Sequence, residues 1–309
     1  MITSVFKKST PLNYSLVVIL ILVFFFMFQI RETSWINSYF TIFQKVSLLC
    51  FIFASFFMVN FIVKKNGLSK DNGYAIFFYL LFILFFPTIF NHPNVVYANF
   101  FILLALRRLI SLQSLKASKE KIFDASFWIF VACLFQFWSI LFIILVFISI
   151  IFHVSRDYRN WVLPFIALLA VSIVFYMVSL MFHIDAVKFV QERAVVDFRI
   201  DYFKNNYENG ALSIYAAVVV FFVFSMLTTL SNRPQIVHTS YKKVVACFFI
   251  AVLVFLISPD KTNDLLLFSI APLSMMAASH VEYMQQKLNN EIVFYVLILC
   301  SLFTFFSQL

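Results

Sequence analysis

Long apolar runs separated by short polar punctuation fill this sequence from end to end. About 20 helical residues cross ~30 Å of bilayer hydrocarbon, so each run is read first as a spanning helix. Tyr14–Ile30, Val46–Val63, Tyr74–Phe90 and Val95–Ile110 predict four spans. The next apolar block, 122–153, is too long for one straight span, because at ~1.5 Å per residue it would extend about 48 Å. It predicts a hairpin of two short helices that breaks around Gln136 to Ser139. Trp161–Ile184, Ala211–Leu230, Val244–Ser258, Leu265–Val281 and Ile292–Phe306 predict five more spans. Between the first two of these, residues 185–210 form the longest polar segment. Phe189, Val196, Ile200, Phe203 and Tyr207 recur there at helical spacing, which predicts that part of the segment is an amphipathic helix lying along the outer membrane surface. The pattern as a whole predicts an all-α polytopic bundle of about eleven spans.

Charge sets the sidedness. Most of the 23 Lys and Arg fall in the segments that an even-crossing hairpin places together: Lys7 and Lys8, Lys64 to Lys70, Arg107 to Lys121, Arg156 and Arg159, and Arg233 to Lys243. Short basic loops stay in the cytoplasm, so residues 1–13 are predicted inside and the C-terminus outside. The first apolar run is too long for a secretory signal core and lacks a small-x-small site after it.

Composition supports this reading. The 309 residues are 63% hydrophobic and 12% charged, more apolar surface than one soluble core buries. One membrane domain over 1–309 follows. The net charge of +9 is accounted for by topology, so nucleic acid is not an expected partner, whereas membrane lipids are. Cys50, Cys133, Cys247 and Cys300 all sit in apolar runs without metal-ligand spacing, and read as small core residues. With 3 Gly against 45 Phe and no GxxxG, helix packing has to rest on Ala and Ser, as at Ala125/Ser126 and Ala277/Ala278/Ser279, and on interleaved rings. Asn99, inside a span, is expected to bond to a neighbouring helix.

No nucleotide-binding, nucleophile-elbow or zinc-protease motif occurs, and no metal or cofactor is expected. A transporter is disfavoured because the predicted spans lack ionisable groups at their centres. The charged residues expected outside are Glu32, the mixed set at 185–210, and Asp260, Lys261 and Asp264. A first loop with an acid, the turn Lys64-Lys65-Asn66-Gly67, a proline-closed third span, the run Ala98 to Arg108 and the paired short hairpin follow in order. This succession resembles the membrane half of the GT-C glycosyltransferases, which use polyprenyl-phosphate sugars. Asp264-Leu265-Leu266-Leu267-Phe268-Ser269-Ile270-Ala271-Pro272-Leu273 is similar to a proline-bearing span of that superfamily. The resemblance implies Glu32 as base or metal ligand, Arg193, Arg199 and Lys261 as holders of the lipid phosphate, and Asp260 and Asp264 beside them. Glu32 read as an interfacial residue paired with Arg31 is the alternative. Leu104–Ser139 also resembles an uncharacterised family of Bacteroidota inner-membrane proteins, which implies a bacterial inner membrane. The competing function is a non-catalytic subunit that anchors other inner-membrane proteins of an envelope assembly.

Overall fold

A computed structural model describes residues 5–31, 35, 38–199, 205–232, 235–259, 261–283 and 287–309. The α-helices in chain order are α1 (Pro11–Gln29), α2 (Tyr39–Lys65), α3 (Tyr74–Leu84), α4 (Pro93–Ser111), α5 (Ser118–Phe135) and α6 (Ile143–His153). They continue with α7 (Arg159–Met181), α8 (Ala186–Arg193), α9 (Asn206–Thr229), α10 (Gln235–Ile257), α11 (Leu267–Tyr283) and α12 (Lys287–Gln308). Among the described residues, 8 helices are long and apolar enough to cross a membrane: α1, α2, α4, α7, α9, α10, α11 with its leading 3-10 turn, and α12. The chain is a multi-pass membrane protein.

Local chemistry sets the boundaries. Pro11 and Pro93 open α1 and α4, where a missing N–H leaves no bond unmade. α3 stops short because Pro87 bars the helical region to Phe86, which takes φ −132°, ψ 74° before a 3-10 turn through Asn91. α2 ends in a Schellman turn, in which Leu68 N donates to Val63 O (3.0 Å) and Gly67 N to Lys64 O (3.2 Å). Gly67 sits at φ +62° with nothing near an added Cβ. Gly67→Ala is therefore expected to cost about 1 kcal/mol through backbone strain alone, read as a lowered unfolding midpoint in micelles.

α5 ends at Phe135, Gln136 is extended (φ −131°, ψ 106°), and a 3-10 turn over Phe137–Phe142 leads into α6. Lys119 Nζ lies 3.3 Å from Asp157 Oδ2, which brings the start of α5 beside the chain just past α6.

Two elements form the centre. Every residue of α3 is buried, and so is α11 from Leu267 to Val281. α11 with its leading turn is the least apolar of the eight spanning candidates and the most enclosed. Against lipid there is no gain in turning apolar groups inward, so outward faces carry Phe, Ile and Val while polar groups pair inside. Ser269 and Tyr215 hydroxyls lie 2.7 Å apart, Ser279 Oγ donates to Tyr241 OH (2.7 Å), and Asn99 Nδ2 reaches Tyr79 OH at 3.5 Å. Ala125, Ser126, Ala277, Ala278 and Ser279 are fully buried, where their small side chains let backbones approach. Rings fill the rest, as around Phe78, whose centroid is 5.9 Å from Phe222 and 4.9 Å from Phe294.

Polar contacts gather at two ends of the bundle. At the basic end, Lys64 pairs with Asp71 (2.8 Å), Arg108 with Asp124 (2.8 Å), and Glu282 accepts from Lys70 N (3.0 Å) and from Asn72. At the opposite end, Gln29 donates to Phe90 O (3.1 Å), Arg31 to Gln308 O (3.1 Å), and Asn263 to Glu208 O (3.1 Å).

Three local expectations differ from the structure. Lys242 and Lys243 lie inside α10 rather than in a loop, and Lys243 is wholly buried. Its ammonium donates to Leu109 O (2.6 Å) at the end of α4, a long-range partner that replaces water. The helical part of 185–210 is shorter than its apolar stripe: α8, capped by the Asp185 carboxylate, ends at Arg193, and residues 194–199 are not helical. Val196 therefore lies beyond α8, and Tyr207 belongs to α9, while Ile200, Asp201, Phe203 and Lys204 lie outside the described residues. Cys50 is exposed on α2, whereas Cys247 is in the core.

Candidate functional site

The end opposite the basic one holds a cavity of about 470 Å³, formed where four segments meet. The turn into α4 and that helix's first residues contribute His92, Pro93, Asn94 and Val95. The tip after α5 contributes Phe135, Gln136, Phe137 and Trp138. The end of α8 brings Glu192 and Arg193, and the start of the α11 segment brings Pro259, Thr262, Asp264 and Leu265.

Asp264 is the chemical centre. It is 1% exposed, and its Oδ1 has no hydrogen-bond partner among the described residues. Its Oδ2 lies 3.7 Å from His92 Nδ1, an ion-pair distance too long for a hydrogen bond. A buried acceptor left unbonded costs about 1–3 kcal/mol, which a hydroxyl donor bound in the cavity would offset. The neighbouring Asn263 Oδ1 is also buried without a partner among the described residues.

Arg193 supplies a cation at the rim. Its Nη1 donates to Leu134 O (2.9 Å), and its guanidinium lies over the Phe189 ring at 3.9 Å. Desolvation lowers its pKa and Glu192 opposes this, but a guanidinium starts so high that it stays charged. The remaining donors of its fork are available to an anion.

The stretch after α8 closes one side. Trp138 Nε1 donates to Val195 O (3.0 Å), and Asp197 N donates to Ile257 O (3.3 Å). Lys261 is buried, and its ammonium donates to Asp197 O (2.5 Å) and Arg199 O (2.7 Å). Of the residues singled out from sequence, Arg193 and Asp264 thus share the cavity. Lys261 lies behind it, holding backbone. The exposed Arg199 side chain does not line the cavity, and Glu32 and Asp260 lie outside the described residues. His92 and Gln136 were missed, since a histidine in a short turn carries no local signal of a carboxylate 172 positions later.

Residues 6–309 match the model of DUF6427, described as a family of unknown function. The chain belongs to the DUF6427 family. No curated protein and no solved structure matches it. An unbonded carboxylate oxygen can accept from a hydroxyl, Arg193 can bind an anion, and Phe135, Phe137 and Trp138 offer apolar faces to a chain or sugar ring.

Proposed function

We propose that this protein is a bacterial inner-membrane protein with N-terminus inside, C-terminus outside and about eleven spans. In this reading its outer-face cavity takes a polyprenyl-phosphate-linked sugar and performs GT-C-like glycosyl transfer. The span count adds α3 with its 3-10 turn, α5, and α6 with its 3-10 turn to the eight long helices. The sidedness rests on the cations that crowd one end.

The observation that carries the reading is the buried Asp264 oxygen without a partner beside His92, with Arg193 at the same cavity. Asp264 accepts the proton of the acceptor hydroxyl as that oxygen bonds to the anomeric carbon. The bond from that carbon to the phosphate oxygen breaks, and the polyprenyl phosphate leaves with its charge held by Arg193. Asp264 thereby takes the base role that sequence resemblance assigned to Glu32.

The test is complementation of a deletion strain by Asp264→Asn, Arg193→Gln and Glu32→Gln at matched protein level, scored by envelope glycan profile. Loss with the first two and retention with Glu32→Gln is the expected result. Full complementation by Asp264→Asn would move the reading to a non-catalytic subunit that anchors envelope partners.

A further inference from the structure

The basic end carries a second cavity, of about 600 Å³, between the C-terminal ends of α2 and α4 and the 112–121 turn. Five cations line it: Lys65, Arg107, Arg108, Lys116 and Lys121. Among the described residues, its lining includes no carboxylate. Arg108 is paired with Asp124, and Lys121 donates to Ser111 O and Ser114 Oγ, both at 2.7 Å. Lys65, Arg107 and Lys116 make neither an ion pair nor a hydrogen bond among the described residues.

Sidedness requires cations at this end but does not require them at one cavity. Convergence is unfavourable in itself, since Arg108, Lys65 and Lys116 all repel Lys121. The fold nevertheless holds them there. The Phe61 ring carries Arg107 at 4.4 Å and Lys65 at 5.0 Å. Lys116 is set between Leu115 and Ala117, both left-handed at φ 54° and φ 49°. Each such residue costs roughly 1 kcal/mol, and backbone strain of this kind collects at binding sites.

We propose that this cavity binds a phosphate-bearing anion of two or more charges, independently of the opposite-end site. Exposed Phe57 and Phe61 run down α2 below it, a surface suited to the acyl chain of a lipid whose headgroup fills the cavity. A soluble phosphate would use the same cations.

The experiment is native mass spectrometry of the full chain from neutral micelles, titrated with phosphatidic acid or with inorganic pyrophosphate. The variants are Lys65→Gln/Arg107→Gln/Lys116→Gln and, removing equal charge at the same end away from the cavity, Lys7→Gln/Lys8→Gln/Lys70→Gln. Each cation near an anionic ligand is worth roughly fivefold, so the cavity variant should bind on the order of 100-fold more weakly while the other matches wild type. Phosphatidic acid bound and not displaced by pyrophosphate identifies a lipid headgroup. Pyrophosphate bound and lost in the same variant identifies a soluble phosphate, and either supports the site. Equal binding by wild type and cavity variant, or equal losses in both variants, overturns it. Should the triple variant fail to fold, Lys116→Gln alone is expected to weaken binding roughly fivefold, and no loss there overturns the proposal equally.

Discussion

Asp264→Asn is expected to reduce the proposed glycosyl transfer by about 10²–10⁴-fold while leaving the protein folded and no less stable. Asparagine keeps the shape and an acceptor at Oδ1, so the cavity persists, but it has no carboxylate to take a proton. The carboxylate now buried has one oxygen unbonded and a His92 partner at 3.7 Å that is half-exposed. Removing such a poorly compensated charge relieves desolvation worth ~1 kcal/mol or more. Against this stands the loss of an acid in the first turn of the α11 segment, worth about 0.3–1 kcal/mol. The desolvation gain is the larger, so the unfolding midpoint should hold or rise as activity falls. Parallel loss of both would show a structural role instead.

Phe222→Ala is expected to destabilise the protein by about 2–3 kcal/mol, whereas Phe224→Ala should change stability by less than about 0.5 kcal/mol. Phe222 is fully buried, with ring centroids of Phe78, Phe82 and His280 at 5.9, 6.2 and 5.7 Å. It belongs to the narrow stripe, with Ala211, Tyr215 and Met226, through which α9 meets the bundle. Phe→Ala in soluble cores costs ~3–5 kcal/mol, of which the water-transfer part is absent between lipid-embedded helices. The cavity and lost dispersion remain. Phe224, 68% exposed, exchanges one apolar neighbour for another. Unfolding by denaturing detergent reads both, and equal losses would contradict the inside–outside assignment of α9.

Helices here are legible because lipid imposes length and apolarity on a span regardless of its neighbours. The break at Gln136 is legible for the same reason, since Ile122 to His153 exceeds one crossing. What the sequence hid depends on partners far away in the chain. Lys242-Lys243 has the local pattern of a cytoplasmic loop, and only Leu109 O, 134 residues earlier, explains a lysine inside a helix. Asp264 reads as a loop acid at a span start, yet packing of α11 at the centre buries it against a turn from another helix. The 185–210 stripe misled because helical spacing persists across residues 194–199, whose backbone is instead bonded to Trp138, Ile257 and Lys261.

In the proposed topology two chemically distinct cavities lie on opposite faces of one membrane, the acidic–aromatic one outside and the basic one inside. This topology is tested most directly by single cysteines at Asn94, Ser114 and Ser155 in a background lacking Cys50, Cys133, Cys247 and Cys300. Intact cells are treated with a membrane-impermeant maleimide. Asn94→Cys should react at once, and Ser114→Cys and Ser155→Cys only after the membrane is opened. Labelling of Ser114→Cys or Ser155→Cys in intact cells, with Asn94→Cys protected, would contradict the account.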